Sequence, residues 1–127
     1  MRSCVLDASA LLAFLLDEAG AEEVEPYLSA GLISSVNYTE TLTRVIDNGK
    51  PLADAIADIR RLEVKIVPHD AEVAAIAASL RTVAKPLGLS LADRCCLALA
   101  ISRRLPVLTG DRKWQNAGLD LEIIPIR

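Results

Sequence analysis

Ser3-Cys4-Val5-Leu6-Asp7-Ala8-Ser9 and Pro106-Val107-Leu108-Thr109-Gly110-Asp111 stand near the two ends of the sequence, and each is a short apolar run closed by an aspartate. Runs this short, rich in Val and Leu and bounded by polar or turn-forming residues, read as buried strands. Between them lie segments with helical spacing and clear stop signals. Strands at residues 3–6, 32–34, 64–67, 106–109 and 121–126 alternate with helices over residues 10–16, 21–29, a stretch ending near Asp47, 52–62, 71–84 and 90–104. Ser9, Asp70 and Ser90 are placed to cap three of these helices, with Asp7 an alternative cap for the first. Pro51 opens another, and Gly31, Asn48-Gly49, Pro86 and Gly88 end helices. Pro125 places the last strand near an edge.

Strands separated by helices predict an α/β fold, a three-layer α/β/α sandwich around a mostly parallel five-stranded sheet. One domain covers residues 1–127, and the strand order is supposed to be 3-2-1-4-5. Hydrophobic residues make up 52% of the chain and aromatics only 3%, so the core must be built from Ala, Leu, Ile and Val. That suits a sheet covered on both faces and excludes a disordered chain.

The net charge of −3 and pI near 5.1 leave no basic footprint of a nonspecific nucleic-acid binder. Four acids distort that count: setting Asp7, Glu40, Asp93 and Asp111 aside leaves 13 acids against 14 Lys and Arg. Cys4, Cys95 and Cys96 are odd in number, two are adjacent, and the sole histidine is His69, so neither a disulfide framework nor a zinc site is expected. Buried thiols in a reducing compartment are the simpler reading. Arg2 and the apolar residues 8–16 have the outline of a secretory leader. Asp7 interrupts it, Asp17 and Glu18 follow it, and the run is too short to span a bilayer. The expectation is a cytoplasmic, soluble protein.

In a parallel sheet, ligands bind outside the carboxyl ends of the strands, where strand order reverses. With the order above, Asp7 and Asp111 follow neighbouring strands. The helix opened by Ser90 starts at the same edge and carries Asp93, and Glu40 lies about one turn into the helix after strand 2. Taken singly, each acid has a structural explanation: Ser90-Leu91-Ala92-Asp93 resembles a capping box, Asn37-Tyr38-Thr39-Glu40 resembles another cap, and Asp111 suits a turn. Together, four ionised carboxylates within ~6 Å would repel by roughly 15 kcal/mol in sum at an effective dielectric of ~20. Such a cluster requires a cation or protons. Hard oxygen donors favour Mg²⁺ or Mn²⁺, and that metal suits phosphodiester hydrolysis. No nucleophile elbow and no nucleotide-binding P-loop is present.

Four segments carry a family resemblance: Val5-Leu6-Asp7-Ala8-Ser9; Ser34-Ser35-Val36-Asn37-Tyr38-Thr39-Glu40; Leu89-Ser90-Leu91-Ala92-Asp93-Arg94-Cys95-Cys96-Leu97-Ala98-Leu99-Ala100; and Val107-Leu108-Thr109-Gly110-Asp111-Arg112-Lys113-Trp114. As an ordered set spanning essentially the whole chain, they resemble the motif series of PIN-domain ribonucleases, and in length and around Asp93 the VapC-type toxins of bacterial toxin–antitoxin pairs. The resemblance implies a Mg²⁺- or Mn²⁺-dependent endoribonuclease that cleaves tRNA, rRNA or mRNA, forms a homodimer, is inhibited by an antitoxin protein and does not use a membrane. It implies that Asp7, Asp93 and Asp111 bind metal directly or through water, and that Glu40 binds metal or positions the attacking water. Ser9 and Thr109 become supporting hydroxyls and Asn37 an accessory polar group. Position 110 is Gly, which leaves the site chemistry intact and loosens its loop.

Weaker signals have competing explanations. Arg94, Arg112 and Lys113 suit RNA phosphates or a solvated surface. Trp114 suits base stacking or, more simply, packing. His69 suits a proton shuttle or a solvated loop. Ala10, Leu11, Phe14 and Leu15 suit a dimer or antitoxin surface or a helix core. Two other classes compete. A non-catalytic metal-binding module draws on Asp7-Ala8-Ser9-Ala10-Leu11 but leaves Asp93 and Asp111 unexplained. A phosphoacceptor signalling domain draws on Asp70 but lacks a lysine after a fifth strand.

Overall fold

A computed structural model describes residues 2–127. Its five strands, β1 (Cys4–Leu6), β2 (Gly31–Ser34), β3 (Lys65–Val67), β4 (Val107–Thr109) and β5 (Ile123–Pro125), form one sheet in the order β3-β2-β1-β4-β5. All four pairings are parallel, so the sheet is more uniform than the mostly parallel one expected. Each strand boundary lies within a few residues of the sequence reading.

Side-chain alternation along the strands assigns the two faces. Val5, Leu32, Val67 and Val107 join the cluster formed with α5 (Ala71–Ser79), α6 (Arg81–Leu87) and α7 (Leu91–Arg103). Cys4, Leu6, Ile33 and Leu108 turn the other way, toward α1 (Ala8–Leu15), α2 (Ala21–Val24) and α4 (Leu52–Arg61). A smaller cluster, Leu12, Val45 and Ala55, ties α1, α3 (Ser35–Asp47) and α4 together. The result is a three-layer α/β/α sandwich whose core is aliphatic. Among the described residues, no helix is long and apolar enough to cross a membrane.

Several helices differ from expectation for identifiable reasons. The helix expected over residues 21–29 is α-helical only to Val24 and tightens into a 3-10 segment, Glu25–Ala30, where Pro26 lacks an amide donor. The helix expected over residues 71–84 breaks at Leu80 into α5 and α6, and Pro86 sits inside α6 instead of ending it. Gly88, at φ 68°, supplies the left-handed cap. Pro51 caps α4 from just outside rather than opening it. A 3-10 segment, Arg112–Ala117, follows β4 and carries Trp114 into the core at 0% exposure. Trp114 is therefore a packing residue, and its ring offers no exposed face on which a base could stack.

Leu108→Ala, at a fully buried strand position, is expected to cost about 2–5 kcal/mol. Ile66→Ala, 39% exposed on the edge strand β3, should cost under about 1 kcal/mol. Urea unfolding of the two variants checks this ordering.

Candidate active site

Burial and hydrogen bonding fix the first acid. Asp7 leaves β1 and caps α1, its Oδ1 accepting from the Ala10 amide at 2.8 Å. Ser9 is not the cap; its hydroxyl donates to the same Oδ1 at 2.7 Å. Thr109, from neighbouring β4, donates to Asp7 Oδ2 at 2.5 Å. The same two hydroxyls hold the next loop: the Gly110 amide donates to Ser9 Oγ at 2.8 Å, and the Asp111 amide to Thr109 Oγ1 at 3.0 Å. Asp111 is thus tied to Asp7 through Ser9 and Thr109. Gly110, expected to loosen this loop, lies in a held segment.

The other two acids arrive on helix starts. Ser34 caps α3, so Asn37 and Glu40 lie inside the helix rather than forming a cap of their own. Asn37 donates through Nδ2 to Glu40 Oε1 at 2.8 Å and to the Ala92 carbonyl of α7 at 3.1 Å. That single amide brings the Glu40 turn against the Asp93 turn. Asp93 completes a capping box: its amide donates to Ser90 Oγ at 3.1 Å, and the Ser90 amide donates to Asp93 Oδ2 at 2.9 Å. Asp111 Oδ1 accepts from the Lys113 amide at 3.0 Å. The structural roles anticipated for Asp93 and Asp111 are real, and each role engages one oxygen of its carboxylate.

All four carboxylates line one cavity of about 410 Å³, together with Asn37 and Ser9. Thr109, fully buried, supports it from behind. Glu18, Arg44 and Arg127 also line it, and no local motif marks them. The acids form a rim and not a closed cage: among the described residues, no three of them are close enough to hold an ion ready-made. The repulsion inferred from a ~6 Å cluster is correspondingly too large. Desolvation takes its place. Burial pushes the Asp7 carboxyl from 3.8 up to about 6, against three hydrogen bonds that favour the ion, with the Asp93 charge a minor contribution. A divalent cation fits this donor set, which is all hard oxygen. The Asn37 Oδ1, buried without a donor among the described residues, adds one more.

The secondary candidates separate. Arg94 turns away from the cavity, donating to the Ala77 carbonyl of α5 at 3.1 Å. Arg112 donates to the Arg127 carbonyl at 2.9 Å, and Lys113 stays exposed near Asp111. His69 Nε2 lies 3.5 Å from Cys95 Sγ and outside the cavity lining, so nothing places it as a proton shuttle there. All three cysteines are buried and free; burial pushes the Cys4 thiol up to about 11 and Cys96 well above its ordinary value. Neither is a thiolate nucleophile. Ala10 and Leu11 are core, with Phe14 and Leu15 packed against it. Asp70 caps α5, accepting from the Val73 amide at 3.0 Å, and lies outside the cavity.

Residues 4–119 match the PIN domain. The chain belongs to the PIN-domain family. No curated protein matches this PIN domain in sequence. Among solved structures it resembles a toxin–antitoxin complex from Klebsiella pneumoniae, with TM-score 0.76 and 19% identity over 98% of both chains. It also resembles DNA-bound VapBC from Salmonella typhimurium, with TM-score 0.74 and 17% identity over 100% of both chains. A third resemblance is to FitAcB from Neisseria gonorrhoeae, with TM-score 0.73 and 22% identity over 97% of both. At these identities the likeness is one of fold.

The raised Asp7 carboxyl makes the metal-free PIN domain pH-sensitive. Below pH 3.8 folded and unfolded chains are both protonated there, and the contribution to stability is complete. As pH rises toward about 6 the unfolded chain releases its proton first, so stability falls. In EDTA, roughly 3 kcal/mol from this group should be lost across that window. Asp7→Asn should remove that slope, and Thr109→Val should extend it to higher pH. Denaturant unfolding at a series of pH values reads all three.

Proposed function

We propose that the protein is a metal-dependent endoribonuclease that hydrolyses RNA phosphodiester bonds and acts as the toxin of a toxin–antitoxin pair. The convergence of Asp7, Glu40, Asp93 and Asp111 on one cavity at the C-terminal edge of the sheet carries this reading. Asp7, Asp93 and Asp111 would hold Mg²⁺ or Mn²⁺, directly or through water. When bound, the metal would activate water and offset charge developing on the phosphate.

The chain's own residues prepare that chemistry. Ser9, Ala10 and Thr109 aim both oxygens of Asp7. Asn37 fixes one oxygen of Glu40, and the other, with no hydrogen bond among the described residues, would hold metal or orient the attacking water. Ser90 orients Asp93. Restraint of this kind lowers the cost of reaching a reactive geometry. Asp70 is engaged in capping away from the cavity, which favours the nuclease over a phosphoacceptor domain.

The fold neighbours, which include toxin–antitoxin and VapBC complexes, support an antitoxin partner. An antitoxin that shields the acidic cavity, a homodimeric toxin and action on RNA in the cytoplasm complete the proposal.

Purified protein free of antitoxin should cut total RNA or tRNA into discrete fragments with Mg²⁺ or Mn²⁺. EDTA and Asp93→Asn should each abolish the cleavage, Asp93→Asn by at least about a hundredfold. Intact RNA with folded, metal-loaded protein would refute the reading. In cells, expression should arrest growth, and Asp7→Ala should restore it; unaffected growth with folded wild-type protein would count against a toxin.

A further inference from the structure

Two arginines, Arg44 and Arg127, line the cavity with the four rim acids and Glu18. Among the described residues, neither forms an ion pair within 4.0 Å of any acid. Cations beside five acids that pair with none of them keep donors available for an anion that enters. Each also reaches the cavity by a definite route. Arg44 lies on α3 one turn beyond Glu40 and two beyond Asn37, hence on the same helical face. Arg127 follows β5, the strand beside β4, so it comes to the same edge of the sheet from the other side.

Arg127 is held in place. The Ile126 amide donates to the Thr109 carbonyl at 3.1 Å, continuing the β4–β5 pairing. Arg127 Nη1 donates to the Ala19 carbonyl at 2.8 Å, and its own carbonyl accepts from Arg112 Nε at 2.9 Å. The guanidinium then lies over Gly110. A β-carbon at position 110 would stand 2.7 Å from Nη2 and 2.9 Å from Cζ. Gly110 is not among the residues with positive φ, so its requirement is space and not conformation. The missing side chain gives the guanidinium its seat beside Asp111. A planar fork fixed in this way suits the paired oxygens of a phosphate better than a mobile ammonium would.

We propose that Arg127 and Arg44 form a phosphate clamp that seats the RNA backbone over the carboxylate rim, Arg127 from the β5 side and Arg44 from the α3 side. The clamp rests on the ribonuclease reading and adds the substrate contact that an acidic cavity cannot itself provide. It also accounts for RNA binding by a chain whose net charge is −3: the cations that matter are local to the cavity.

The test is binding of a fluorescently labelled, mixed-sequence single-stranded oligoribonucleotide, read by anisotropy across a range of salt concentrations in Mg²⁺. The parent is full-length Asp93→Asn protein, which does not cleave its probe. Adding Arg127→Ala should weaken binding on the order of threefold to tenfold. It should also flatten the slope of log affinity against log salt by about 0.7, the value for one phosphate contact on a single strand. Arg127→Lys should keep the slope and lose part of the affinity. Gly110→Ala, which displaces the guanidinium without removing charge, should weaken binding while the thermal midpoint stays near that of the parent. A merely structural Arg127 would change the midpoint and leave the salt slope alone. Unchanged slope and affinity in folded Arg127→Ala would overturn the clamp while leaving the ribonuclease reading intact. Tighter binding, with faster cleavage when Asp93 is restored, would overturn it in favour of an arginine that covers the acids. Failure of the parent to bind RNA, joined by failure of wild-type protein to cleave it, would remove the ribonuclease reading and the clamp with it.

Discussion

A carboxylate taken out of water must be supplied with hydrogen bonds, be neutralised, or take up a proton. Asp7, 5% exposed at the end of β1, is placed under that demand by the apolar strand that precedes it. Three donors answer it, from Ser9, Ala10 and Thr109, and burial still outweighs them. Much of the sheet edge is arranged around this one group. Thr109 is where it is because β4 pairs with β1. The Asp111 loop is held by the two hydroxyls that serve Asp7. An edge with this unresolved demand for positive charge is a natural place for a divalent cation, and the other three acids stand around it as a rim.

The fold makes that arrangement economical. Parallel strands end together, and helices returning antiparallel to them begin at the same edge, so residues distant in sequence meet without long loops. The acids double as local structure: Asp7 caps α1, Asp93 completes a capping box and Asp111 opens a 3-10 turn. Capping uses an oxygen and stabilises a helix start by about 1 kcal/mol. The remaining acceptor capacity stays available to the cavity. The structural roles and the proposed metal-binding role therefore fall on the same side chains, and neither argues against the other.

Local patterning made the strands and most helix starts legible; the strand order was supposed, in keeping with the PIN resemblance, and the sheet has that order. Val-Leu runs closed by aspartate, and serines three residues before acids, are signals carried within a few positions. The four rim acids were legible for the same reason, because strand ends and helix starts can be located from sequence. What escaped depended on packing. The break at Leu80 and the 3-10 path of Glu25–Ala30 reflect tertiary accommodation and a proline, where helical periodicity continued on paper. Arg94 follows Asp93 directly yet turns to the Ala77 carbonyl, since neighbours on a helix point about 100° apart. Arg127 reaches the cavity only because β5 lies beside β4 and position 110 lacks a side chain, a conjunction no local motif announces.

Asp7 is a buried carboxylate whose charge, in the proposed function, is completed by a divalent cation. Carbon-13 NMR titration of the Asp7 carboxyl, with EDTA and then with saturating Mg²⁺, tests it most directly. The account predicts a midpoint near 6 without metal, above the ordinary 3.8, and a fall below the ordinary value once Mg²⁺ is present. A midpoint near 3.8 in EDTA, or one that Mg²⁺ leaves unmoved, would contradict it.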